Sequence, residues 1–372
     1  VMLNRRQVLL MALLTAIAPT LESCSSSNNS LSVRVLKDSI PPQLLGNFKK
    51  ELLENRQVDI KPIAQLKTLY ELLENLSQAE SQKIPNLVTL GDIWLEKAIQ
   101  KQLIQPLDIT SVSNWNQLSA FWQNFLRRNE QGHLDPQGKI WGAPYRWGST
   151  VIAYRADKLQ AAGYDPLTDW KDLWREELRH RISLLNQPRE VIGLTLKKLG
   201  ASYNTENLDQ IPNLKQELAA LNQQVKFYSS QAYLQPLVLE DTWVAVGWSS
   251  DVLQLQRRYP DIKVIIPASG TALWADLWVQ PIKNPDLSET MLKWINYCWE
   301  VDAATEIGLF TNASSPILLN QNPQQLPQTL KQDALRVPSP ELIGKSEFLF
   351  PLSPQTQNQY QQFWQEMRTR HA

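Results

Sequence analysis

The chain is predicted to be an α/β protein of two lobes, and three observations lead there. Strand and helix patterns alternate from Leu31 to Ile99, which argues a parallel sheet covered by helices. The chain has 372 residues, long for one core, so two lobes are the default. The stretch Ile140 to Arg155 packs Trp, Tyr, Gly and Pro into its first half and turns strand-like and β-branched from Thr150 to Tyr154. Such a segment can carry the chain from one lobe to another, with rings and backbone amides turned toward a cleft. A buried strand with two satisfied tryptophans fits the same pattern.

Taken in order, Leu31 to Leu36 alternates as a strand, and Pro41-Pro42 stops it. Leu44, Leu45, Phe48 and Leu52 recur at helical spacing, Val58 to Ile63 is a second strand, and Leu66 to Leu76 is a helix with Leu69, Leu72 and Leu73 on one face. Asn86 to Leu90 is a short buried strand closed by Gly91-Asp92, followed by helix from Trp94 to Ile99. Trp115, Leu118, Phe121, Trp122 and Phe125 read as helical core. Beyond the crossing, Leu159–Tyr164 and Asp169–Leu178 read as helices, and Arg181–Leu185 as a strand. A helix from Val191 to Leu199 places Glu190 in its first turn, where the helix dipole favours a carboxylate, as ligand group or as plain capping residue. Leu208–Phe227 reads as one long amphipathic helix, Thr242–Ser250 as a strand running into small residues, Asp251–Arg258 as a helix and Ile262–Pro267 as a strand. Leu273–Val279 is a second candidate crossing strand, which turns Trp274, Asp276 and Trp278 to one face. An aspartate between two tryptophans is either hydrogen-bonded structurally or aimed into a pocket. A helix begins near Asn284-Pro285-Asp286, and the Gln-rich tail from Thr356 to Arg368 reads as a surface helix.

Charge and motif content exclude several classes. Thirty-seven basic and 37 acidic residues leave a formal net charge of 0, without the basic bias of a nucleic-acid binder. Three histidines (His133, His180 and His371) stand without ligand spacing, and no zinc, Walker, dinucleotide or Gly-x-Ser-x-Gly motif occurs. A pair of carboxylates across a cleft, as in glycosidases, is compatible with any sequence this rich in Asp and Glu, so nothing positive supports catalysis. No metal or cofactor is expected. Fourteen tryptophans are many for this length and offer rigid apolar faces that also attract cations.

The start of the chain reads as an export signal: Arg5-Arg6, then an apolar run from Val8 to Ala18. Leu21-Glu22-Ser23-Cys24 and the polar run Ser25 to Ser30 resemble a bacterial lipoprotein signal, with cleavage before Cys24, lipid on its thiol and then a tether; Glu22 is unusual in such a box. Arg5-Arg6 also fits a twin-arginine signal, with the general secretory route equally open. The other cysteine is Cys298, so with Cys24 lipidated no disulfide is expected, and an exported chain then depends on full-sized cores.

Several segments carry a resemblance: Ile40-Pro41-Pro42; Trp141 to Gly148 running on to Ala153-Tyr154; Pro188-Arg189-Glu190-Val191; Val246-Gly247-Trp248-Ser249; and Leu273-Trp274-Ala275-Asp276. In order and spacing these resemble bacterial extracellular solute-binding proteins of ABC importers, closest to the spermidine/putrescine-binding branch. The resemblance implies a two-lobed clamshell of the type II periplasmic binding proteins with a ligand cleft between the lobes, crossed near Thr150, near Asp276 and once more in the C-terminal third. The corresponding division is 1–23 signal peptide, 24–30 lipid-anchored tether, 31–150 first lobe, 151–275 second lobe, 276–335 first lobe again, and 336–372 a C-terminal segment packing mainly on the second lobe.

Its implication for function is a receptor that binds a small cationic amine, such as putrescine or spermidine, and delivers it to a membrane permease. The receptor is expected to be a non-catalytic monomer, held at the cytoplasmic membrane in the periplasm by its lipid. Glu190 and Asp276 stand where family carboxylates bind amines, and Trp248 and Trp274 where family tryptophans cover the cleft. A carboxylate makes charge-assisted bonds to an ammonium, and an indole face adds cation–π contact. The chain also departs from the polyamine pattern at Ser39, Ile93, Gln187 and Leu309, with Asp38, Asp92 and Trp94 as candidates to compensate. Arg146, if it faces the cleft, favours an anionic or zwitterionic ligand; otherwise it is a surface or salt-bridged residue. The alternatives are another solute on the same fold, such as an amino acid, phosphonate, metal complex or sugar, or a lipoprotein working through protein contacts.

Overall fold

The computed structural model describes residues 30–52, 57–78, 84–284, 288–322, 324–331 and 333–369. The export signal, Cys24 and nearly all of the tether lie outside the described residues, as does the start expected at Pro285-Asp286. No described helix is long and apolar enough to cross a membrane.

Strands β1 (Leu31–Leu36), β2 (Val58–Ile63) and β3 (Leu87–Gly91) alternate with the helices Pro42–Glu51 and Leu66–Gln78, as the hydrophobic spacing requires. The short strands β4 (Ile104–Gln105), β5 (Arg127–Arg128) and β6 (Lys139–Ile140) lead to β7 (Ala143–Arg155). In the second half come β8 (Ile182–Leu184), the helix Pro188–Lys198, β9 (Val225–Tyr228), β10 (Val244–Trp248), the helix Ser249–Gln256, β11 (Ile262–Ile265), β12 (Ala272–Pro281) and β13 (Glu347–Phe348). The main sheet runs β2-β1-β3-β12-β7-β10-β8-β9, with β11 also paired to β7. β1, β2 and β3 are mutually parallel, as are β8, β9 and β10, whereas β7 and β12 run against their neighbours in this order and β13 adds to β12 in parallel.

Two lobes follow from how the chain packs. One core gathers β1, β3, the start of β7 and the helices Glu289–Cys298 and Val301–Thr311, around Trp122, Trp147, Trp278 and Trp294. A second gathers Ile152, Trp170, Ile182, Leu194, Tyr203 and Val246 on one face of the other half of the sheet. Val151, Ala153, Tyr233 and Ala245 pack on the opposite face. β7 therefore leaves the first core at Trp147 and enters the second lobe at Val151. The return passage falls between Ala272 and Leu273, and a third lies where Phe348 packs on the first core and Leu349 on the second. These passages are tied together: Thr271 Oγ1 donates to the Thr150 carbonyl, and the Thr271 amide donates to Ser346 Oγ at 3.2 Å.

Three elements differ from the pattern read in the sequence. β7 is a strand from Ala143 onward, because its aromatic and Gly-rich first half pairs with β12 residue by residue from Arg146 to Ser149. The helix expected over Leu208–Phe227 is a short 3₁₀ turn at Leu208–Gln210, a helix over Leu214–Gln224, and then β9. Pro212 cannot continue a helix, Asn213 takes φ 62°, and the bonds that β8 offers from Ile182 onward pull Val225 into the sheet. Asp169–Leu178 divides into two 3₁₀ turns, the first opened by a capping box between Asp169 and Asp172. The Gln-rich tail is a surface helix, Pro354–Thr369, that seats Tyr360, Phe363, Trp364 and Met367 in the second core.

Trp278 is fully buried, stacked on Tyr145 with ring centroids 4.0 Å apart and edged by Trp294. Truncation there leaves a cavity between Tyr145 and Trp294. Trp278→Ala is expected to destabilise the first lobe by about 3–5 kcal/mol, read as a lowered midpoint in denaturant unfolding. An unchanged midpoint would contradict this packing.

Candidate functional site

The site is built on β7. From Arg146 to Tyr154 its pairing has no break, so Arg146, Gly148 and Thr150 share one face. The residue opposite each of them shares that face: Asp276 faces Arg146, Trp274 faces Gly148, and Trp248 faces Thr150. The first two pairs belong to one lobe and the third to the other. Four residues of strand set Arg146 and Thr150 about 13 Å apart.

The middle pair explains the glycine. A Cβ on Gly148 would lie 2.4 Å from Cζ2 of Trp274 and 2.5 Å from Ser249 Oγ, so the indole lies directly on bare backbone. Ser249 Oγ in turn accepts the Ser149 amide at 3.2 Å. A related approach sits on β10, where the Tyr233 ring occupies the space a side chain on Gly247 would need. Tyr233 donates to Asp251 at 2.8 Å and its hydroxyl accepts the Trp248 amide at 3.2 Å, which positions Trp248.

Glu190 and Asp92 stand at the carboxyl ends of strands, where open α/β sheets leave amides and side chains free, whereas Asp276 lies within β12. Glu190 follows β8 in the first turn of the helix Pro188–Lys198, 6% exposed, and its Oε2 accepts from Thr150 Oγ1 at 3.0 Å. Burial strips its carboxyl of water and pushes it up to about 7, while hydrogen bonds from Thr150 and Trp248 and the charge of Arg189 pull only part of the way back. Asp92 follows β3, partly buried, and accepts the Ala275 amide at 2.8 Å. It too is raised to about 7, first by burial and further by the charge of Asp276, against that amide and Arg128. Asp276 is ion-paired: Arg146 Nε donates to its Oδ2 at 2.6 Å, with the two side chains 12% and 2% exposed. Burial pushes the Asp276 carboxyl upward and the guanidinium opposes that push. The guanidinium also lies 5.7 Å from the Trp274 ring centroid.

Of the eight residues singled out in the sequence, six gather here: Asp92, Arg146, Glu190, Trp248, Trp274 and Asp276. Asp38 and Trp94 stand apart. Asp38 is exposed in the turn after β1 at φ 58° and makes no hydrogen bond or ion pair to the described residues. Trp94 stacks on Tyr70, centroids 5.9 Å apart, and packs on the first core. Ser39 accepts a hydrogen bond from buried Tyr145 at 2.9 Å, Ile93 is an exposed apolar residue beside Asp92, and Leu309 packs against a small cluster around Leu318. Thr150 went unrecognised as the partner of Glu190, although the alternation Arg146, Gly148, Thr150 was there to suggest it. Among the described residues no group of three His, Cys, Asp or Glu side chains could hold a metal ion, and Cys298 is buried and free. An apolar hollow of about 520 Å³ lined by Phe121, Phe125, Phe348 and Phe350 contains none of the gathered acids.

The raised acids have a consequence without any ligand. Glu190 and Asp92 hold a proton more tightly folded than unfolded, so the folded state is favoured at low pH and loses that advantage as pH rises from about 4 to about 7. For Glu190 the loss is of order 3 kcal/mol. Stability of the ligand-free chain is expected to fall over that range, and Glu190→Gln to flatten the fall. Equal slopes in pH-dependent melts of the two proteins would refute it.

Comparison with known proteins bears on the chain as a whole. The family model described as "Bacterial extracellular solute-binding protein" matches residues 82–345, more than half of the chain. The spermidine/putrescine-binding periplasmic protein of Salmonella typhimurium is 25% identical over 326 residues, 87% of each chain. A putrescine/cadaverine-binding protein of Pseudomonas aeruginosa is 27% identical over 66% of this chain and 72% of its own. Among solved structures, the spermidine/putrescine ABC transporter substrate-binding protein of Streptococcus pneumoniae superposes with a TM-score of 0.79 at 20% identity, covering 91% of this chain and 98% of the other.

Proposed function

The chain belongs to the bacterial extracellular solute-binding proteins, and from that premise we propose that its cleft takes up a small organic amine and hands it to an ABC permease. The single observation that carries the amine is the pair of poorly solvated carboxyls at strand ends, buried Glu190 from one lobe and partly buried Asp92 from the other. A buried carboxylate without a cation is costly, and an ammonium supplies the missing charge in a place where water cannot screen it. Trp274 and Trp248, partly exposed on the shared face of β7 and its neighbours, offer apolar and cation–π contact for a methylene chain. Spermidine and putrescine, named in the relatives, are the reference ligands. Ligand capture is by closure of the lobes around the three passages, and no bond is made or broken. The lipid on Cys24 is part of this proposal: it would keep the receptor at the outer face of the cytoplasmic membrane, beside its permease.

Calorimetric titration of the purified chain with putrescine and spermidine tests the amine. Micromolar or tighter binding of an amine is expected, and Glu190→Gln should weaken it about 10–100-fold, the loss of one charge-assisted bond of about 1.5–3 kcal/mol. Silence toward every amine up to millimolar would overturn it. Because Glu190 and Asp92 must be ionised to hold a cation, affinity should fall about tenfold for each pH unit below 7 that one of them is protonated. Affinity that is flat from pH 5.5 to 8 would argue that neither acid meets the ligand.

A further inference from the structure

Arg146 adds a charge that an amine cleft does not need. Its register opposite Asp276 builds the ion pair into the sheet, and its guanidinium lies over Trp274 on the same face as Thr150 and its partner Glu190. The cation thus already neutralises the acid directly opposite it, and on this side of the face it leaves Asp92, which accepts the Ala275 amide, without an ion pair among the described residues. Only Nε of Arg146 is engaged. Its two terminal nitrogens make no hydrogen bond to the described residues, and the ring nitrogen of Trp274, the indole the guanidinium lies over, is shielded from solvent and has no acceptor among them. Donors without acceptors at one end of a face, and a carboxylate without a cation at the other, call for a ligand with opposite charges at its two ends. A guanidinium fork matches the two oxygens of a carboxylate.

We propose that the cleft selects an amine whose far end is a carboxylate, the ammonium at Glu190 and the carboxylate on the terminal nitrogens of Arg146, over a diamine of the same length. This rests on the amine reading above and narrows its ligand class. Arg146 is then the specificity-determining residue. In a diamine the second ammonium meets the guanidinium of Arg146 as well as Asp92, and like charges in a cleft repel.

The test uses three probes with the same four-methylene chain: putrescine, 5-aminopentanoate and 1-aminopentane, titrated calorimetrically into the wild-type chain and into Arg146→Gln. Expected is 5-aminopentanoate binding at least tenfold tighter than either other probe, with Arg146→Gln reversing the order so that putrescine leads. Removing Arg146 leaves Asp276 buried without its cation, so the double variant Arg146→Gln, Asp276→Asn carries the test should the single one fail to fold. It should bind 5-aminopentanoate at least tenfold more weakly than wild type does and show no preference for it over 1-aminopentane. Putrescine binding wild type as tightly as 5-aminopentanoate, or more tightly, would overturn the inference and leave the amine reading standing. Equal affinity for 5-aminopentanoate and 1-aminopentane would likewise remove the role of the carboxylate. Binding of none of the three would overturn both.

Discussion

A single strand hydrogen-bonded to both lobes is the constraint on which the rest depends. β7 spends its first half against β12 in one lobe and its second half against β10 and β11 in the other. Its alternate residues therefore form a common floor that neither lobe owns. Whatever stands opposite those residues on β12 and β10 is brought to one face at fixed spacing. The floor has to be nearly bare at its centre, because the Trp274 indole lies where a side chain on Gly148 would be. The Thr271 bonds to Thr150 and Ser346 tie the three passages together where the lobes meet.

The electrostatics of the cleft follow from that geometry. Burial raises Glu190 and Asp92 because few donors replace the water they lose. Asp276 is more deeply buried than either, but a cross-strand guanidinium compensates it. A buried ion pair of this kind adds little net stability over apolar packing, because both ions lose their water. Its effect is on charge balance: one acid of the site is neutralised internally, while Glu190 and Asp92 have no ion-pair partner among the described residues.

Much of the architecture was legible in the sequence because it depends on local spacing. The strands at Leu31, Val58 and Leu87, and the helices between them, carry periods of two and 3.6 that hardly another arrangement would satisfy. The helix expected over Leu208–Phe227 failed for the opposite reason: Val225 to Tyr228 is amphipathic either way, and only the free edge of β8 makes it strand. Within the site, the acids and tryptophans could be named from their motifs. Trp94 looked equivalent to the others, yet its ring is spent on Tyr70, a helix partner that no motif specifies.

By itself the sequence determined which chemistry is available: an acid in a first helical turn, another between tryptophans, a glycine and a threonine alternating with an arginine, and no catalytic or metal motif. Periodicity and residue type are properties of neighbours along the chain. Whether Arg146 meets solvent, a ligand or an acid depends on a partner 130 positions away, brought opposite it by strand register. Only the tertiary structure decided that Asp276 is neutralised from within while Glu190 and Asp92 are not, because burial and charge pairing are settled by distance in space.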